Sequence, residues 1–152
     1  MPFKFKALLM LGLFLIFGVV NSQIYWHENA LNQGGRLVLK LQPRDPRSYM
    51  QGDYMILNYE LADRIPTDEK DGVVYLRPGP NDLATEPVQE SDGALKLRYR
   101  VRDGQVLFGI ESYFFQEGQA TRYQVARFVE LRVSPQGTPS ILHLLDEDFQ
   151  VI

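Results

Sequence analysis

The chain has no cysteine, one tryptophan and two histidines among its 152 residues. The first absence excludes thiol nucleophiles, disulfide frameworks and cysteine metal sites. His27 and His143 sit far apart with no short ligand spacing between them, so histidine gives no metal motif. The acidic 82–92 stretch offers oxygen ligands, but its spacing fits no EF-hand loop. Neither a metal nor any other cofactor is expected. An excess of basic charge is also absent. The whole chain carries −3, and because Lys4 and Lys6 precede every acidic residue, the part from Gln23 onward carries −5. Binding nucleic acid requires clustered cations, which argues against that class of partner. Arg98, Arg100 and Arg102 do line up, but they alternate with apolar residues and read as the solvated face of a strand.

Only one long apolar run is present, Ala7 to Val20, preceded by Lys4 and Lys6 and followed by Asn21-Ser22-Gln23. Two readings compete. As a secretory signal it has a basic start, an apolar stretch of suitable length and a small-residue cleavage site at Val20-Asn21-Ser22. As an anchor it must extend from Phe5 to Ile24 to cross roughly 30 Å of hydrocarbon, with Tyr25 and Trp26 where an aromatic belt is expected. Both readings keep the N-terminal lysines in the cytoplasm and export the rest. The expected organisation is an anchor or signal over 1–25, a stem over 26–35 and one β domain over 36–152.

The remainder is long enough for a single domain with a real core. Period-two alternation predicts strands at Arg36–Leu41, Tyr54–Leu61, Val73–Arg77, Ala94–Arg102, Gln105–Phe115, Phe128–Val133 and Ser140–Leu145. In the second of these, Met55, Leu57, Tyr59 and Leu61 share one face, and Tyr54 lies on the other. Gly34-Gly35 reads as a flexible exit from the stem. Asp103-Gly104 is a two-residue hairpin turn, and Ser134 to Gly137 closes a second hairpin. Gln119–Arg127 is the one short helix expected in the domain. The 61–95 excursion is charged and Pro-rich, and Asp146-Glu147-Asp148 ends the fold. The fold class that follows is mainly β: an antiparallel β sandwich or partly closed barrel with one short helix, preceded by an N-terminal transmembrane helix.

Two blocks stand out. The first is the polar loop holding Asp45, Pro46, Arg47 and Ser48, which leads through Gly52-Asp53 into the strand at Tyr54. Glycine supplies a backbone with positive φ there, and the aspartate can cap the free amides of the turn. The second is Gly109-Ile110-Glu111-Ser112-Tyr113-Phe114-Phe115 with Glu117-Gly118. Gly109 within a strand pattern signals a bulge or a close backbone approach. Glu111 falls on an otherwise aromatic face with Tyr113 and Phe115, where an ion pair with Arg47 or Arg98 would balance it.

The run Gly52, Asp53, Tyr54, Leu57 and Tyr59 resembles the signature of the GDYXXLXY protein family, and Gly109 to Gly118 is similar to that family's downstream Gly-Ile-Glu-x-Tyr-Phe segment. The resemblance implies a single membrane span just before the folded part, in the bacterial inner membrane with the domain in the periplasm, and it implies no particular chemistry. It favours the retained anchor over a protein secreted to the periplasm after cleavage. It also implies a place beside larger multi-span membrane proteins.

The functional expectation is a non-enzymatic accessory or binding module. Its partners would be the lipid bilayer, through the N-terminal helix, and a multi-span membrane protein. Its surface would be formed by Asp45, Arg47, Ser48, Asp53, Tyr54, Glu111, Tyr113 and Glu117, with no residue assigned a catalytic role. The alternative is an envelope glycan- or peptide-acting enzyme using carboxylates, Asp53 paired with Glu111 or Glu117. A serine–lysine peptidase, to which an anchored β domain is loosely similar, needs a desolvated lysine beside Ser48. Lys70 and Lys96 both read as solvated.

Overall fold

The computed structural model describes residues 3–32, 34–42, 54–68 and 70–152. The loop bearing Asp45, Arg47, Ser48, Gly52 and Asp53 lies outside these residues, and so does any pairing of Arg47. The chain forms two compact units, Met1–Gln33 and Gly34–Ile152.

The first unit is the helix α1, Phe3–Asn32. It incorporates most of the expected stem. Its apolar side chains from Met10 to Tyr25 are exposed, Phe14 by 79%. Among the described residues, no helix is long and apolar enough to cross a membrane.

The second unit is mainly β, with antiparallel sheets forming a half-barrel. One sheet has the order β1–β8–β9: β1 (Gly35–Lys40), β8 (Phe128–Val133) and β9 (Pro139–Leu145). Val129, Leu131 and Val133 alternate inward from β8, as a strand half-buried on a core requires. The β8–β9 hairpin turns at Ser134–Gly137, where the Gly137 amide donates to the Ser134 carbonyl at 2.8 Å. Its register slips between Glu130 and Leu131, which pair with His143 and Ile141 and leave Leu142 as a bulge.

A second sheet has the order β4–β3–β5–β6, formed by β3 (Asp71–Leu76), β4 (Pro87–Val88), β5 (Leu95–Arg102) and β6 (Gln105–Leu107). Asp103 (φ 52°) and Gly104 (φ 74°) both take the positive φ that a tight hairpin turn demands. The third sheet is a ribbon of β2 (Tyr54–Ile56) and β7 (Ser112–Phe114).

A single core joins these sheets. Leu37, Leu39, Leu57, Leu97, Val129 and Leu131 are fully enclosed. Beyond its pairing with β6, β5 is tied to the second hairpin: the Arg98 amide donates to the Gly137 carbonyl at 2.9 Å.

Four expectations are corrected. Gln105–Phe115 is two strands in different sheets. The chain leaves β6 through Gly109 (φ 84°), and the Leu57 amide then takes the Glu111 carbonyl at 2.8 Å, committing the second half to β2. The Tyr54–Leu61 strand ends at Ile56 and gives way to a short 3-10 helix, Glu60–Arg64. Its alternation survives nonetheless, with Met55, Leu57, Tyr59 and Leu61 all buried. The expected Gln119–Arg127 helix is a single turn, α2 (Ala120–Tyr123). Gly35, expected in the flexible exit, already belongs to β1 and is a packing position, since a Cβ there would lie 2.3 Å from Leu95 Cδ2.

The acidic tail also folds back. Asp146 Oδ1 accepts the amides of Asp148 and Gln150 at 2.9 Å, Val151 pairs with Leu145, and Phe149 stacks on Phe128 with centroids 4.3 Å apart.

Candidate functional site

The ribbon pairs the strand that follows the first block with the second block. Tyr54, the residue after Asp53, pairs with Phe114, Met55 with Tyr113, and Ile56 with Ser112. Alternation turns Met55 inward and leaves the Tyr54 and Phe114 rings on the opposite face, with centroids 5.7 Å apart. Phe114 is 75% exposed. On the inward side, Tyr113 and Phe115 pack on Tyr123 of α2 at 5.3 and 5.2 Å, and the Arg122 guanidinium lies 5.9 Å from the Tyr123 ring centre. Partial burial and a hydrogen bond with Tyr123 raise the Tyr113 phenol above its ordinary value. Two of the expected site residues, Tyr54 and Tyr113, therefore belong to one aromatic ribbon. Glu117 is exposed in the turn that follows it.

Glu111 does not form the expected ion pair with Arg98. Its Oε1 accepts the Phe108 amide at 2.5 Å, and its Oε2 accepts the Gly109 amide at 3.0 Å. The carboxylate caps the turn that separates β6 from β7, because the amides of that turn have left both sheets and need an acceptor. Beside it, the buried Tyr59 hydroxyl donates to the Ile110 carbonyl at 2.6 Å, and the Tyr59 ring meets Phe108 edge-on at 5.6 Å. Burial first, and the Glu111 carboxylate second, push the Tyr59 phenol well above its ordinary range. The last tyrosine of the signature is thus a structural clasp between its own segment and the Gly109–Gly118 block. Among the described residues, no three His, Asp or Glu side chains are grouped so as to hold a metal.

Two features escaped sequence reasoning. The first is a cleft of about 650 Å³ on the second sheet, lined by Asp71, Val73, Arg98, Arg100, Arg102 and Leu107. Phe108–Gly109 and Thr138–Pro139 also line it. The alternating arginines were visible in the sequence, but the concavity was not, since its walls come from distant segments. The second is Glu130, the only buried charged residue among those described, held by Arg36 Nε at 2.8 Å; Arg36 also reaches Asp82 at 3.3 Å.

A helix followed by an antiparallel β half-barrel, clasped by a buried tyrosine and carrying an aromatic ribbon after Gly-Asp, defines the class of protein. The chain belongs to the GDYXXLXY protein family, which matches residues 16–144 and so includes both blocks. No curated protein and no solved structure matches it.

Proposed function

We propose that this protein is a non-enzymatic accessory module that binds another membrane protein through its β2–β7 ribbon. The observation carrying this reading is Phe114, three-quarters exposed beside Tyr54 on a short ribbon. Exposed aromatic side chains backed by packed ones are the usual anchors of an interface. The carboxylate-enzyme reading has less support, because both Glu111 oxygens are engaged by backbone amides.

In this proposal the segment Phe5–Ile24 of α1 is the retained anchor, Lys4 and Lys6 stay cytoplasmic, and the β domain lies in the periplasm of a bacterial inner membrane. The support is the apolar Ala7–Val20 run with its basic start, together with family membership. Resistance of the full-length chain to alkaline extraction from membranes, with an intact N-terminus, tests the anchor. A mature form beginning after Ser22 would establish the cleaved signal instead.

The binding reading is tested by placing a photo-reactive residue at position 114 in the full-length protein in intact membranes, with position 85 as control. A stoichiometric adduct with an integral membrane protein is expected at 114 only, and in a pull-down with the tagged protein, without the photo-reactive residue, Phe114→Ser should reduce recovery of the same partner about tenfold without lowering the melting temperature. Absence of any adduct, combined with glycan or peptide turnover lost in Asp53→Asn, would overturn the proposal.

A further inference from the structure

We propose that the arginine-lined cleft on β5 binds a small ligand carrying oxyanion groups, independently of the aromatic ribbon. Arg98, Arg100 and Arg102 project from one face at alternate positions, roughly 6.8 Å apart along the strand. Like charges so close on one sheet face repel one another. Only one of the three is compensated among the described residues: Arg100 Nε meets Asp71 Oδ1 at 3.1 Å, which leaves its two terminal nitrogens available. Arg98 and Arg102 have no side-chain partner among the described residues. The other carboxylate lining the cleft, Glu111, is engaged by the Phe108 and Gly109 amides.

The shape suits a ligand better than a solvated face would. The cleft's volume of about 650 Å³ falls within the ~300–1,000 Å³ of small-molecule sites. Leu107 and the half-exposed Val73 give it an apolar floor. The Arg98 stem packs against the Gly137 turn, where a Cβ would lie 3.0 Å from Arg98 Cγ, so this side chain is partly ordered before binding. Guanidinium groups recognise phosphate and carboxylate with paired, charge-assisted hydrogen bonds. The surrounding acidic domain disfavours a long polyanion, whereas one or two oxyanions at short range are matched by these cations. Such a group can be free in solution or belong to an anionic lipid headgroup.

The test is calorimetric titration of the full-length protein in neutral detergent micelles with inorganic pyrophosphate, alongside titration with a micelle-soluble short-chain phosphatidylglycerol, the matching phosphatidylcholine serving as control. Saturable pyrophosphate binding is expected, weakened about tenfold or more in the Arg98→Gln/Arg102→Gln variant. Arg77→Gln, a change at an exposed arginine elsewhere that bonds Ser91 Oγ, should leave it unchanged. The Arg98→Lys/Arg102→Lys variant keeps charge and fold and should lose affinity to an intermediate degree. Phosphatidylglycerol binding that pyrophosphate displaces, with the same variant pattern, identifies a headgroup; pyrophosphate binding without phosphatidylglycerol binding identifies a soluble anion. Saturable binding of neither probe, or equal weakening by Arg77→Gln, would overturn the proposal.

Discussion

Tyr59 and Glu111 show how single polar groups hold this domain together. A buried hydroxyl needs an acceptor, and the Ile110 carbonyl supplies it. The raised phenol means that the folded chain prefers protonated Tyr59. The resulting stabilisation is complete below the ordinary value near 10 and is lost as pH climbs through the still higher folded value. Tyr59→Phe should therefore cost about 1 kcal/mol at neutral pH and flatten the loss of stability above pH ~10; urea unfolding at neutral and alkaline pH measures both. Glu111→Ala should cost about 1–3 kcal/mol by orphaning two amides, and Glu111→Gln less, because its carbonyl oxygen can still accept. An equal loss of stability in both variants would contradict the capping role.

Strands and turns raise a different question, that of which partner each takes. The 105–115 segment has one continuous β-like composition, yet the Gly109 turn divides it between two sheets. The β3–β5 pair meets closely at Gly72, where a Cβ would fall 2.4 Å from the Tyr99 ring. Gly72→Ala should therefore destabilise by about 1–3 kcal/mol through overpacking. Adding Tyr99→Leu should restore part of that loss, a double-mutant coupling readable in denaturant melts.

For the β domain as a whole, the Arg36–Glu130 pair matters beyond its size. It links β1, β8 and the turn at Asp82, with Glu130 buried and Arg36 more than half exposed. Removing one partner of a fully buried pair costs about 3–5 kcal/mol, and an exposed pair contributes below ~1 kcal/mol. Arg36→Met should fall between these, about 1–2 kcal/mol. The enclosed core stabilises the domain more strongly: Leu131→Ala, at a side chain with no exposure, should cost about 2–5 kcal/mol. Both are measured by thermal or chemical unfolding.

What could be read from residue order was local. Alternation marked Phe128–Val133 and the inward set Met55, Leu57, Tyr59 and Leu61, because side chains on a strand change face with every residue. Asp103-Gly104 and Ser134–Gly137 declared their hairpins, since tight turns restrict backbone angles to a few residue types. The Gly-Asp-Tyr signature pointed to the family. What folding added was long-range: the division of 105–115, the union of Tyr54 with Phe114, the role of Glu111 as a cap and the hollow around the arginines. Each depends on which distant segment arrives alongside. Periodicity reports the two faces of an element and carries no record of its neighbour, so those outcomes emerged from packing around the shared core.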